Sequence, residues 1–358
     1  WQALSHQYAH EPVTHLPRRI LAPGFVDMHI HFPQTDVIGS PADGLLPWLE
    51  NYTFPHESRF VASDYSAQVA EFFVAELLRH GVTTALAFAT SHPASVDALF
   101  TEGQRQHMRL ITGKVLQDRH SPDGVRDDTE QSLIDTEALF QRWHGVDRLG
   151  YAITPRFAPT STHEQLRGAG ELAARYPDVW IQSHVAENRD EIRWARELFP
   201  AARSYLGVYD DFGLMRERAV YAHCIHFDDD DRALMRETGA AAAVSPTSNL
   251  FLGSGFFDYV AADAAGMRRL SRVGVHGAAA LREDARPGDG QAVVLDAQRG
   301  HQSEVFVEAV VVVAGHVAIA GVGNRAGHAA EAVPDGLALA VGRGRAFDLE
   351  RTGGHAPG

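Results

Sequence analysis

Cysteine is nearly missing from this sequence: Cys224 is the only one in 358 residues. A lone thiol closes no internal disulfide, so a disulfide framework is excluded and a reducing compartment is expected. Long apolar runs are also scarce. Val305 to Ala314 and Ala240 to Val244 fall well short of the roughly 20 residues that cross a bilayer, and polar Gln2, Ser5 and His6 stand where a signal peptide needs an apolar run. The expected location is cytoplasmic. Basic charge is in deficit, with 32 Lys and Arg against 46 Asp and Glu, a formal net charge of −14 with His neutral. That balance repels phosphate backbones and anionic head groups, which argues against nucleic acid or a membrane surface and leaves a small-molecule substrate open. There is no G-x-S-x-G elbow and no P-loop, and Gly253-Ser254-Gly255 is too short a glycine pattern for a phosphate site.

From about residue 20 to 250, short apolar runs alternate with helical patterns. Candidate strands are Phe25 to His29, Thr83 to Ala89, Arg109 to Val115, Leu149 to Thr154, Val179 to His184, Ala219 to His223 and Ala240 to Val244. Helical periods lie between them, as in Tyr65 to His80, with Val69, Phe72, Phe73 and Leu77 on one face, and in Glu164 to Arg175. Buried strands separated by helices pair in parallel, and seven of them over this length predict an α/β fold, a (β/α)8 TIM-like barrel with one strand unaccounted for. After Arg286 the pattern changes. Ala292 to Asp296, Glu304 to Val313, His316 to Val322 and Leu337 to Val341 read as strands of a small accessory β-sandwich. The expected division is residues 1–20 as the N-terminal part of the β-domain, 21–285 as the barrel, 286–350 as the small β-domain and 351–358 as a disordered Gly/Pro-rich tail.

Histidine is abundant, 20 in all, yet placement carries more than number. Alternate residues of a strand share a face, so His29 and His31 point the same way and two imidazoles so placed can grip a divalent metal. Taken alone, the pair reads equally well as half-buried histidines bonded to neighbouring carbonyls. His184 and His223 shift that balance, since both end predicted strands at the carboxyl-terminal rim where barrel enzymes assemble their sites. His92, His120 and His226 read as loop or supporting residues. Glu187 follows His184 by three positions. Beside such a cluster, a carboxylate serves proton transfer in hydrolysis, whereas an isolated one would read as a glutamate favoured by a helix N-terminus. Cys224, next to His223, reads as a buried structural thiol.

Several segments together resemble the guanine deaminases of the amidohydrolase superfamily: Pro23-Gly24-Phe25-Val26-Asp27-Met28-His29-Ile30-His31-Phe32-Pro33-Gln34-Thr35-Asp36, Trp48-Leu49-Glu50-Asn51-Tyr52-Thr53-Phe54-Pro55, Thr154-Pro155-Arg156-Phe157-Ala158-Pro159-Thr160, His184-Val185-Ala186-Glu187-Asn188, and Ser245 to Gly255. The resemblance runs from about Leu21 to Asp258. It implies hydrolysis of guanine to xanthine and ammonia on one zinc ion per chain, in a homodimer. His29, His31 and His184 would hold the metal, and His223 would either complete the shell or hydrogen-bond the activated water. Glu187 would carry the proton to the purine ring nitrogen and then to the departing amine. Gln34 and Arg156 would bond the purine edges, with the Phe157 backbone or ring beside them.

The sequence departs from that family in two places. After Asp258 the family continues into an eighth strand ending in an aspartate that is both ligand and base, whereas here the strand reads as absent: the nearest candidate, Arg272-Val273-Gly274-Val275, ends in His276 without a carboxylate. An open sheet of seven strands leaves two bare edges, so undisplayed residues carrying that aspartate are expected between about Asp258 and Gly277. The family also begins with β-domain strands, which Ala309 to Gly323 resembles at the opposite end, as in a permuted β-domain. Two alternatives stand beside the leading one: an amidohydrolase for another aminated heterocycle such as a pterin or triazine, and a non-catalytic purine-binding homologue.

Overall fold

The computed structural model describes residues 19–41 and 43–271 continuously, together with 6, 9–10, 14–15, 292–296, 306–307, 310–313, 316–319, 322–323 and 338–339. The chain divides into two compact units, Trp1–Gly24 with Leu281–Gly358, and Phe25–Ala280.

The larger unit is built on eight strands, β1 (Phe25–His31), β2 (Val82–Phe88), β3 (Arg109–Thr112), β4 (Leu149–Pro155), β5 (Trp180–Val185), β6 (Ala219–His223), β7 (Ala241–Val244) and β8 (Arg268–Ser271). They lie side by side in sequence order, and every neighbouring pair is parallel. The two end strands, β1 and β8, come within 8 Å of each other at Cα, so the sheet curls into a (β/α)8 TIM-like fold. Strands covered on both faces carry continuous apolar runs, not alternating ones. All seven residues of β4 and all five of β6 are accordingly buried.

Helices return the chain from each strand to the next: α1 (Ser63–Arg79), α2 (Pro93–Arg105), α3 (Thr129–Trp143), α4 (His163–Arg175), α5 (Arg189–Leu198), α6 (Tyr205–Asp211), α7 (Asp229–Thr238), α8 (Pro246–Phe251) and α9 (Tyr259–Ala264). Polar side chains start several of them by satisfying orphan backbone amides. Asp128 accepts from the Gln131 amide, Thr162 from that of Gln165, and Asp228 forms a reciprocal capping box with Asp231. Helix α1 buries Val69, Ala70, Phe73, Val74 and Leu77, while Phe72, expected on that face, is 55% exposed. The apolar stripe steps by three and four residues, and Phe72 sits one position off it.

Two sequence expectations need correction. The eighth strand is present: Arg268–Ser271 pairs in parallel with β7, from Arg268 opposite Ala241 to Ser271 opposite Val244. Its charged Arg268-Arg269 start hides it from an apolar-run search. The described chain passes from Asp258 through α9 to β8 without a break, so no undisplayed segment is needed to supply the strand, and Arg272 to Gly277 lie outside the described residues. The run Arg109 to Val115 is also divided, with β3 ending at Thr112 and Val115–Leu116 pairing separately with β4. Between them a Cβ on Gly113 would lie 1.8 Å from the Ala152 carbonyl oxygen, so only glycine fits there.

In the smaller unit, four antiparallel pairs are described: Thr14–His15 with Ala338–Leu339, Arg19–Pro23 with Ala292–Asp296, Phe306–Val307 with Val322–Gly323, and Val310–Val313 with His316–Ile319. The expected tail at 351–358 lies outside the described residues. Among the described residues no helix is long and apolar enough to cross a membrane.

Candidate active site

Strand β1 brings its histidines to the carboxyl-terminal rim through an irregular register. Asp27 pairs with Ala85 and Ile30 with Ala87, so one extra residue is accommodated around Met28 and His29. Bulges of this kind re-aim side chains and recur beside functional sites. The His31 ring stacks on Phe88, with centroids 4.6 Å apart. His184 stands near the end of β5, and His223 closes β6 with a left-handed φ of 72°.

These four imidazoles converge. Donor atoms of His29, His184 and His223 all lie within 4.8 Å of one another, and His31 Nε2 is 2.9 Å from His184 Nε2. Two of the other ring nitrogens are anchored outward: His184 Nδ1 is 2.6 Å from the Arg156 carbonyl oxygen, and His223 Nδ1 is 2.8 Å from Asn249 Oδ1. Both rings therefore turn Nε2 to the shared point. Burial, followed by the neighbouring His223, holds the His184 pKa well below its ordinary 6.5, so the ring is a neutral donor. Imidazoles clustered this way fit a divalent transition metal such as zinc, whose sites use three or four such nitrogens with supporting hydrogen bonds on the far side.

Glu187 is buried beside the cluster. Its Oε2 is 3.2 Å from His223 Nε2, and its Oε1 accepts a 3.2 Å bond from the Ser254 hydroxyl. It precedes Asn188, the N-cap of α5, and so lies outside the helix's first turn. The preceding Ala186 takes a left-handed φ of 50°, which turns the chain sharply after β5. The Glu187 amide donates to Glu191 Oε1 at 3.1 Å. Burial, reinforced by Glu187, pushes the Glu191 carboxyl well above its ordinary value.

Arg156 follows β4 and is 2% exposed, with Nη1 2.5 Å from Oε2 of fully buried Glu57 and its guanidinium 4.9 Å from the Phe54 ring centroid. Burial raises the Glu57 pKa despite the arginine beside it. Gln34 sits in the 3-10 helix Phe32–Val37 directly after β1. A cavity of about 90 Å³ joins these groups. His29, His31, His184, His223 and Glu187 line it together with Gln34, Arg156 and Phe157, and Leu45, Trp48, Leu49 and Leu252 supply its apolar wall.

Every site residue expected from the sequence thus reaches one cavity. His92, His120 and His226 stay outside its lining; His226 Nε2 is 3.1 Å from the Ser254 carbonyl oxygen. Cys224 is buried, and burial pushes its thiol well up, the behaviour of an inert structural cysteine. Sequence reasoning missed Glu57, Glu191, Asn249 and Ser254. The last two lie inside the Ser245 to Gly255 motif, but no pattern of spacing reveals that they reach across to His223 and Glu187.

The sequence model of the amidohydrolase family matches residues 20–283. Guanine deaminase of Escherichia coli strain K12 is 47% identical over 240 residues, covering 67% of this chain and 55% of that relative. The solved structure of E. coli guanine deaminase aligns with a TM-score of 0.70 at 44% identity, over 71% of this chain and 59% of that one. Guanine deaminase from C. acetobutylicum, solved with guanine bound in its active site, aligns with a TM-score of 0.72 at 33% identity, over 74% of this chain and 64% of that one. The chain spans little more than half the length of the curated relative.

Proposed function

This chain belongs to the amidohydrolase family, and from that premise we propose that its cavity is the site of a zinc-dependent guanine deaminase, hydrolysing guanine to xanthine and ammonia. The observation that carries the reading is the single cavity that unites four histidines, a buried carboxylate, and the Gln34, Arg156 and Phe157 set. The names of the relatives support the choice of guanine among aminated heterocycles.

His29, His31, His184 and His223 would hold one zinc ion per chain. Bound there, the cation would supply water acidified to a pKa near 7, a nucleophile at neutral pH. Glu187 takes the water's proton, delivers it to the purine ring nitrogen and then assists the departing amine, roles that ask for a carboxylate fixed within bonding reach of the reacting atoms. Ser254 holds one of its oxygens. Gln34 and Arg156 offer fixed polar groups to the purine edges, and a site built around such bonds rejects a base that cannot complete them by roughly 10⁴ to 10⁵-fold. Phe157 and the Trp48–Leu49 wall exclude water from the ring. The family resemblance also supports a homodimer acting in the cytoplasm, which light scattering and cell fractionation would check.

One observation favours a second reading. Residues 272–282, which follow β8, contain no Asp or Glu, so the carboxylate expected at that strand's end is missing from the stretch where it should stand. A chain with the base pocket and without that group would be a non-catalytic purine-binding homologue. Ammonia and xanthine release from guanine, measured alongside the zinc content of the same sample, separates the two. Release supports the deaminase; zinc and guanine uptake without release supports the binding protein; loss of guanine binding sinks both.

A further inference from the structure

Resting on the guanine reading above, we propose that Glu57 is a positioning residue that makes the cavity select guanine over adenine, by holding the Arg156 guanidinium with its remaining donors toward the purine. Glu57 Oε2 accepts from Arg156 Nη1 at 2.5 Å. Glu57 is absent from the cavity lining, whereas Arg156 belongs to it, so whatever Glu57 does for a ligand passes through the arginine. The Arg156 main chain is already fixed: its amide donates to the Leu116 carbonyl at 3.0 Å, and its carbonyl accepts from the His184 amide at 3.3 Å. What is left to place is the long side chain. Among the described residues the guanidinium makes no hydrogen bond except to Glu57. Phe54, three residues earlier in the same helical turn, has its ring centroid 4.9 Å from the guanidinium. Phe54 shares an apolar cluster with Leu45, Leu49, Phe157 and Leu252. One segment therefore supplies both the cavity wall and the carboxylate behind the arginine.

Stability alone does not account for the pair. Arg156 and Glu57 are 2% and 0% exposed, and a buried ion pair is often no more stabilising than apolar residues of similar volume. Among the described residues Glu57 Oε1 has no hydrogen-bond partner, which adds to the cost of burying it. What the pair does supply is direction. A guanidinium carries donors and no acceptor, in a rigid planar fork. Held in place, those donors suit the carbonyl oxygen of guanine, and adenine has no carbonyl to offer them.

The test is equilibrium binding of guanine and of adenine to the full chain, with xanthine release assayed on the same samples. Glu57→Met removes the accepting oxygens and should weaken guanine by about 10 to 100-fold, the range for a hydrogen bond to a charged group, while adenine affinity stays unchanged. Glu57→Gln keeps one accepting oxygen for Nη1 and should recover most of the guanine affinity. Because Glu57 acts through Arg156, the double variant Glu57→Met with Arg156→Met should bind guanine no more weakly than Arg156→Met alone. That double variant replaces the ion pair by apolar side chains, so it still decides the matter if Glu57→Met by itself unfolds. Unchanged guanine affinity in Glu57→Met, equal loss for both purines, or losses that add in the double variant overturns the proposal. Guanine binding without xanthine release sinks the deaminase alone, and the affinities still judge Glu57; a wild type that binds no guanine sinks both.

Discussion

Glu187 and Arg156 show how far a single side chain depends on its surroundings. Glu187→Gln keeps shape and can still accept from Ser254 while removing the proton carrier, so turnover should fall by about 10² to 10⁴-fold, toward the upper end because one group serves two transfers. Zinc content and purine binding should stay near wild type, and a variant with normal turnover would remove Glu187 from the chemistry. Arg156→Lys tests the other side of the cavity. The guanidinium contacts Glu57 and stacks near Phe54 at once, which an ammonium on a flexible stem cannot reproduce. The Michaelis constant for guanine should rise and discrimination against adenine should fall; unchanged kinetics with both purines would make Arg156 purely structural. Both residues stood out in the sequence through their motifs. Glu57 did not, because its role comes from meeting Arg156 across 99 positions of chain, which no local pattern records.

Among the elements, strands were legible where burial on both faces gives an unbroken apolar run, as in Leu149–Pro155, and illegible where it does not, as in Arg268–Ser271. Two arginines mark β8 as a surface segment to any hydrophobicity argument. Its place is set by pairing with β7. The interruption after β3 is likewise a packing event, made where Gly113 meets the Ala152 carbonyl of β4. Gly113→Ala forces a backbone shift between adjacent strands, since the oxygen 1.8 Å away belongs to the main chain. Overpacking of this kind costs about 1 to 3 kcal/mol, and at roughly 2 to 4 °C per kcal/mol for a domain of this size the melting temperature should drop by several degrees or more. Calorimetry giving the wild-type melting temperature would show that the strands part without cost.

Across the whole molecule, buried ionisable groups set how stability follows pH. Burial raises Glu191 well above its ordinary 4.5, so the folded chain keeps a proton that the unfolded chain has lost. Stability from this group is fully present below 4.5 and is lost as pH rises through the raised pKa. In Glu191→Gln that loss disappears, and thermal unfolding of metal-free samples should show the variant gaining on wild type as pH rises above the ordinary 4.5. A difference flat with pH would exclude it. His184 acts oppositely, its stability present above 6.5 and lost on acidification toward its depressed pKa. Lys114, the chain's single lysine, is 1% exposed and bonded to Asp127 at 2.6 Å. Amine-reactive reagents should therefore modify it only as fast as the barrel opens, a rate that mass spectrometry of the 114-containing peptide would follow; fast labelling of native protein would place Lys114 at the surface.

The sequence by itself determined the parallel α/β class, because apolar runs and helical periods alternate along it, and it determined the chemical types at the rim, because His29, His31, His184 and His223 sit at strand ends whose spacing is local. Tertiary structure alone decided the eighth strand, whose charged start only an adjacent edge can recruit. It also decided the partners behind the site: Asn249 on His223, Ser254 on Glu187, and Glu57 on Arg156. The physical reason is range. Periodicity reports which face of an element is buried, whereas a hydrogen bond between residues 26 to 99 positions apart exists only once the barrel has curled and brought their elements together.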